Sequence, residues 1–116
     1  MQWPSLNPGE CREQITWQRK IVTGQDSFGQ DIYTWWDLLL IYAKVESLSG
    51  LELQREQQRW AEAQYRVRHS FVKGMQPKDR IAWNNDGETL YLDVLDVSDR
   101  EGVRMITTVI AKQWVP

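Results

Sequence analysis

The run Trp35-Trp36-Asp37-Leu38-Leu39-Leu40-Ile41-Tyr42-Ala43-Lys44-Val45-Glu46 constrains this chain more than any other. It is too short to cross a membrane and reads as a strand, too continuous in its apolar residues to be half-exposed. Apolar side chains fall on both parities between Leu38 and Ala43. That pattern needs either cover on both faces or a bulge near Trp36-Asp37. Directly behind the run come helix-start signals. Ser49 is an N-cap with Glu52 three residues on, and Leu48 and Leu53 are spaced as a hydrophobic staple. From Leu51 to Ala63 there is no Pro, Gly or β-branched residue, so a helix is expected there. Its apolar face is poor, because Glu56, Gln57 and Trp60 follow Leu53 at the core-facing spacings. A polar helix set between strands is solvated or faces a partner, and excursions of this kind are where function tends to sit.

The rest of the chain supplies strands. Gln14 to Val22 alternates, with Ile15, Trp17 and Ile21 on one side and Arg19 interrupting it, as at a strand end or bulge. Thr23 to Asp31 is a polar loop with two glycines, making a long hairpin to Ile32–Glu46. Phe28 at its tip is apolar outside any periodic pattern, which marks it either as an exposed docking residue or as one folded back on the barrel. Ala61 to Phe71 alternates best, with Ala63, Tyr65, Val67, His69 and Phe71 on one face. Asp79–Asn84 and Thr89–Val97 flank the turn Asn85-Asp86-Gly87-Glu88, and a parity change at Leu95 points to another bulge. Ser98 to Gly102 turns the chain into a last strand, Val103 to Lys112. The expected fold is mainly β: a small six-stranded antiparallel barrel with one short polar helix between strands 2 and 3. Residues 1–10, with Pro4, Pro8 and Gly9, read as an N-terminal arm, and 11–116 as one barrel domain.

Composition narrows the function. A net charge of −2 argues against a general nucleic-acid binder. The single cysteine, Cys11, excludes an internal disulfide framework and a multi-cysteine metal site. The first residues have neither a basic stretch nor an apolar one, so folding in the host cytoplasm is expected. Seven tryptophans are hard to hide in so small a core, and Trp is enriched at protein interfaces. His69 lies on the apolar face of its strand and reads as a core or rim histidine. Asp93 and Asp96 are expected on opposite strand faces, which rules them out as a catalytic pair. No phosphate-binding glycine loop and no nucleophile elbow is present, so neither an enzyme nor a cofactor is expected, nor a metal.

Several segments carry a resemblance. They are Cys11-Arg12-Glu13-Gln14-Ile15-Thr16-Trp17-Gln18-Arg19, Trp36-Asp37-Leu38 and Tyr65-Arg66-Val67-Arg68, with Gly74-Met75-Gln76-Pro77-Lys78-Asp79-Arg80-Ile81. The most specific is Ala43-Lys44-Val45-Glu46-Ser47-Leu48-Ser49-Gly50-Leu51-Glu52, although relatives often carry Arg where Leu51 stands. In these the chain resembles the phage head-tail joining family, the head-closure or stopper proteins of long-tailed phages. The resemblance implies a barrel subunit of the virion neck. It would form a homo-oligomeric ring matching portal symmetry, a dodecamer, with the portal or adaptor ring above and tail terminator or tail proteins below. Packaged double-stranded DNA would lie in the channel, and no membrane would be involved. In relatives the excursion between strands 2 and 3 can close that channel. Carried onto this chain, the channel or ring residues are Ser49, Gly50, Glu52, Arg55, Glu56, Gln57, Arg59 and Trp60. Two other functions fit a small barrel: single-stranded nucleic-acid binding on exposed aromatic rings, and another neck or tail-completion role.

Overall fold

The computed structural model describes residues 8–59, 61–98 and 105–114. A 3₁₀ turn, Pro8–Glu10, leads into β1 (Glu13–Gln25) and β2 (Asp31–Ser47). Next come α1 (Gly50–Arg59), β3 (Tyr65–Ser70), β4 (Arg80–Asn85), β5 (Glu88–Ser98) and β6 (Ile106–Gln113). Every strand pairing is antiparallel, and the sheet closes on itself in the order β1-β2-β3-β6-β5-β4. The expected mainly-β barrel with one helix between strands 2 and 3 is the fold observed. Residues 1–7 of the expected N-terminal arm, Trp3 among them, lie outside the described residues, as does most of the turn after Ser98.

Alternation builds the core. Ile15 and Trp17 of β1, Val67 of β3, Ile81 of β4, Leu92 of β5 and Val109 of β6 are fully enclosed. His69 is buried with them. The Trp17 indole N–H donates to His69 Nε2 at 3.0 Å, and His69 Nδ1 lies 2.7 Å from the Ser70 carbonyl. These bonds fix the neutral tautomer with its proton on Nδ1, and burial depresses the His69 pKa despite the Ser70 contact.

Bulges decide which face several residues reach. In β2 the register with β1 slips so that Trp17 pairs Leu39 and Gln18 pairs Asp37, leaving Leu38 as the extra residue. The run through Leu40 is therefore half-exposed after all: Leu39 and Ile41 pack on the core, whereas Leu40 is 59% and Tyr42 60% exposed. Arg19 does not end β1. The strand continues past it to Gln25; the irregularity beside Arg19 lies opposite, in β2, and a second one further along leaves Thr23 as an extra residue of β1. In β5 the slip between Val94 and Asp96 makes Leu95 the extra residue. Val94 and Val97 both point to the core, so Asp93 and Asp96 share the outer face, contrary to simple alternation. At the β4–β5 hairpin Asp86 (φ 51°) and Gly87 (φ 89°) both adopt the left-handed region that a two-residue turn requires.

Beyond Gln18, β1 has lost its pairing with β4, and β2 pairs with β3 only from Lys44 to Ser47. Residues 19–25 and 31–37 therefore leave the barrel as a two-stranded ribbon. At about 3.4 Å per residue its free length is roughly 25 Å. The molecule measures 57 × 30 × 28 Å, so the ribbon reaches about as far as the molecule is wide.

Candidate assembly interface

Helix α1 is shorter than its sequence suggests, because the chain leaves it at Arg59 and Ala63 turns back to the barrel as a buried residue. Ser49 supplies the first helical carbonyl, bonded to Leu53 N at 3.3 Å, and Gly50 takes φ +57°, where a side chain would be strained. Leu48, Ala63 and Ile110 form a small cluster on the outside of the barrel, and Leu53 and Leu95 pack against it. No helix residue belongs to the main core. The helix is thus pinned by one leucine, and Leu51, Gln54, Arg55 and Gln58 face outward.

Of the expected site residues, Ser49, Gly50, Glu52, Arg55 and Gln57 are exposed and Glu56 is half-buried. The Glu52 carboxylate reaches Arg66 at 3.5 Å, and the Gln57 amide donates to the Ala63 carbonyl at 3.5 Å. Arg59 is the last helical residue, with its side chain outside the described set, and Trp60 lies outside it altogether. Beneath the helix start, Glu46 of β2 accepts from Arg66 (3.2 Å) and Arg68 (3.1 Å) of β3, with Lys44 3.7 Å away. Burial alone would raise the Glu46 pKa, but Arg66, Lys44 and Arg68 together hold it below its ordinary value.

Phe28 sits far from α1 along the chain, at the ribbon tip, and is 90% exposed. It does not fold back on the barrel. The Asp26 carboxylate accepts the backbone N–H groups of Phe28 and Gln30, both at 2.9 Å, and Gly29 (φ 81°) closes the turn. An ordered loop therefore holds an apolar ring out in water.

Two arginines fasten the root of this ribbon. Arg19 is bidentate to Asp79, both contacts at 2.9 Å, and also donates to the Gly74 carbonyl at 2.8 Å. On the outer face the Arg80 guanidinium lies over Trp35 and Tyr91, each at 4.2 Å, and over Trp114 at 4.8 Å. Its Nε donates to Gln18 at 2.8 Å. Burial lowers the Arg80 pKa, and Tyr91 and Asp93 oppose that shift.

The sequence reading missed this aromatic box, which draws its rings from two strands and the residue after β6 around a cation from a third strand. It also missed the outer row of Leu40 and Tyr42. The mixed parity of residues 38–43 was the available signal for that row.

Five of the seven tryptophans are described, and their fates differ. Trp17 is in the core, Trp83 donates to Glu13 at 2.9 Å, and Trp35 and Trp114 flank Arg80. Trp36 is 56% exposed. Among the described residues no group of His, Cys, Asp and Glu is arranged to hold a metal, and no helix is long and apolar enough to cross a membrane.

This architecture has counterparts among solved structures. The chain superposes on the solution structure of protein SF1141 from Shigella flexneri 2a with a TM-score of 0.68 and 22% identity, covering 93% of this chain and 96% of that one. It also superposes on a chain of the virion of a native gene transfer agent particle, with a TM-score of 0.54 and 12% identity, covering 90% and 98%. Comparison with curated proteins finds no match. A family profile described as phage head completion protein matches residues 6–113, nearly the whole chain and every element of the barrel. The protein belongs to the phage head completion protein family.

Proposed function

We propose that this chain, a structural virion component by its family, acts as a ring subunit of the phage neck. The ring matches portal symmetry as a dodecamer, sits under the portal or adaptor ring, and offers a lower surface to tail proteins. The barrel supplies the rigid wall. Helix α1, with Arg55 and Glu56 and the flanking Ser49 and Trp60, lines the central hole or the contact between neighbours. The observation that carries this reading is that α1 lies wholly outside the main core while family membership places the chain in head completion. Acidic and basic groups are mixed on the helix, which would let DNA pass without the tight phosphate binding of a Lys/Arg-lined channel.

The decisive test removes the protein. Particles lacking it should fill with DNA and then lose it, and DNA-tight, tailed particles would refute the proposal. A finer test replaces Arg55 and Arg59 by Glu. The isolated domain should unfold at the wild-type temperature, whereas genome retention or ring assembly should suffer.

Single-stranded nucleic-acid binding gains little support. Phe28, Trp36 and Tyr42 offer exposed rings, but a net charge of −2 supplies no cationic surplus to hold a phosphate backbone beside them, and Trp35, Tyr91 and Trp114 already cover Arg80.

A further inference from the structure

The outer barrel wall carries one face of unusual chemistry. Gln14, Thr16, Leu40, Ala82, Asn84 and Thr89, from four neighbouring strands, line an open hollow of about 360 Å³. None of them is charged, although charged residues make up 26% of the chain. Leu40, and Tyr42 paired with Gln14, stand exposed on this wall. Depletion of charge around exposed apolar side chains is the compositional mark of the centre of a protein interface.

The ribbon is its counterpart. Ile21, Ile32 and Trp36 share one ribbon face, and Val22, Tyr33 and Trp35 share the other, so neither face is simply solvated. A two-stranded ribbon cannot bury either face by itself. Its tip holds Phe28 out on a hydrogen-bonded turn, and Arg19 and Arg80 fix the direction of its root. A ribbon pre-ordered in this way loses little entropy on docking.

We propose that the ribbon of one copy lies across the next copy, with Phe28 entering the uncharged hollow beside Leu40 and Tyr42. The occupant is a second copy of this chain for two reasons on the molecule itself. The ribbon's reach of roughly 25 Å matches the 28–30 Å width of one subunit, the span from one copy to its neighbour. The tip from Ser27 to Gln30 and the acceptor hollow are also both uncharged and lie on different patches of the same chain. Such a contact is heterologous: each copy gives its tip to one neighbour and receives the tip of the other, which produces a ring when the rotation closes. This inference rests on the ring reading above and specifies its contact.

The test uses assembled particles. On a Cys11→Ser background, half of the copies carry Phe28→Cys and half Thr89→Cys, and a short thiol-to-thiol reagent is added. A covalent two-chain species is expected in the mixture and should be absent when either variant is present alone. Counting the copies of the chain per particle separates the two ways of failing. Many copies with no two-chain species would overturn the ribbon contact and leave the ring standing. A single copy per particle would overturn both. As an independent check, Leu40→Glu should abolish incorporation into particles while the isolated domain keeps its melting temperature. Full incorporation of that variant would also sink the contact.

Discussion

Between Glu13 and Gln18, β1 turns Ile15 and Trp17 into a closed core, with β2 on one side and β4 on the other. A few residues further on, the same strand turns Ile21 and Val22 to opposite faces of a ribbon that has only β2 as a neighbour. Alternation has different consequences in the two places. Where six strands close, one face of each is inside and its apolar residues are buried. Where two strands run free, both faces are outside, and Trp36 and Phe28 stay in water. Apolar content alone does not distinguish a core segment from a docking segment. The number of neighbouring strands does.

The sharpest way to test this division is to damage each part and ask whether the other notices. Trp17→Ala removes the largest enclosed side chain and the donor to His69. It should cost about 3–5 kcal/mol in urea unfolding, enough to endanger the domain. A loss near 1 kcal/mol would mean that the barrel is not the stabilising unit.

Arg80→Ala removes the cation between Trp35, Tyr91 and Trp114 together with its bond to Gln18. We expect about 1–3 kcal/mol, since a buried cation–π stack and a charged hydrogen bond are lost together. Amide exchange should accelerate in the ribbon at Tyr33 to Trp36 and remain slow at Val67 and Val109. Uniform acceleration would show that ribbon and barrel open as one unit.

Acid probes the barrel alone. The folded-state pKa of His69 lies below its ordinary 6.5, so the unfolded chain binds the proton more readily. The stability tied to the neutral ring is complete above about pH 6.5, falls as the pH drops below it, and levels off under the folded-state pKa. His69→Gln should flatten that part of the profile in denaturant titrations. An unchanged slope would place the titrating group elsewhere.

Phe28→Ala is expected to have the smallest effect on the isolated chain, within about 0.5 kcal/mol, because nothing in its own subunit covers the ring. A clear drop in melting temperature would mean that the tip folds back in solution, which would erase the contrast between ribbon and barrel.

Much of the fold was legible beforehand, for reasons that are local. The Asn85 to Glu88 turn, the bulge at Leu95 and the inward row of Val67 and His69 follow from turn chemistry and a two-residue period. The helix start at Ser49 was equally plain, as was its peripheral character, since Glu56 and Gln57 leave only Leu53 to bury. Arg19 was misread as a possible strand end because its partner, Asp79, lies sixty residues away in sequence. Asp93 and Asp96 were assigned to opposite faces because simple alternation takes no account of the extra residue at Leu95.

By itself, then, the amino-acid order determined the number and direction of the strands, the polar excursion after Leu48 and the family. Each of these is written in neighbouring residues or in short runs of them. Only the tertiary structure decided that β1 and β2 outrun their barrel neighbours, that Arg80 draws rings from distant strands around itself, and that an uncharged wall opens beside Leu40. Those features depend on where strand pairing stops and which segments meet across the sheet, and no local pattern encodes contacts between residues so far apart.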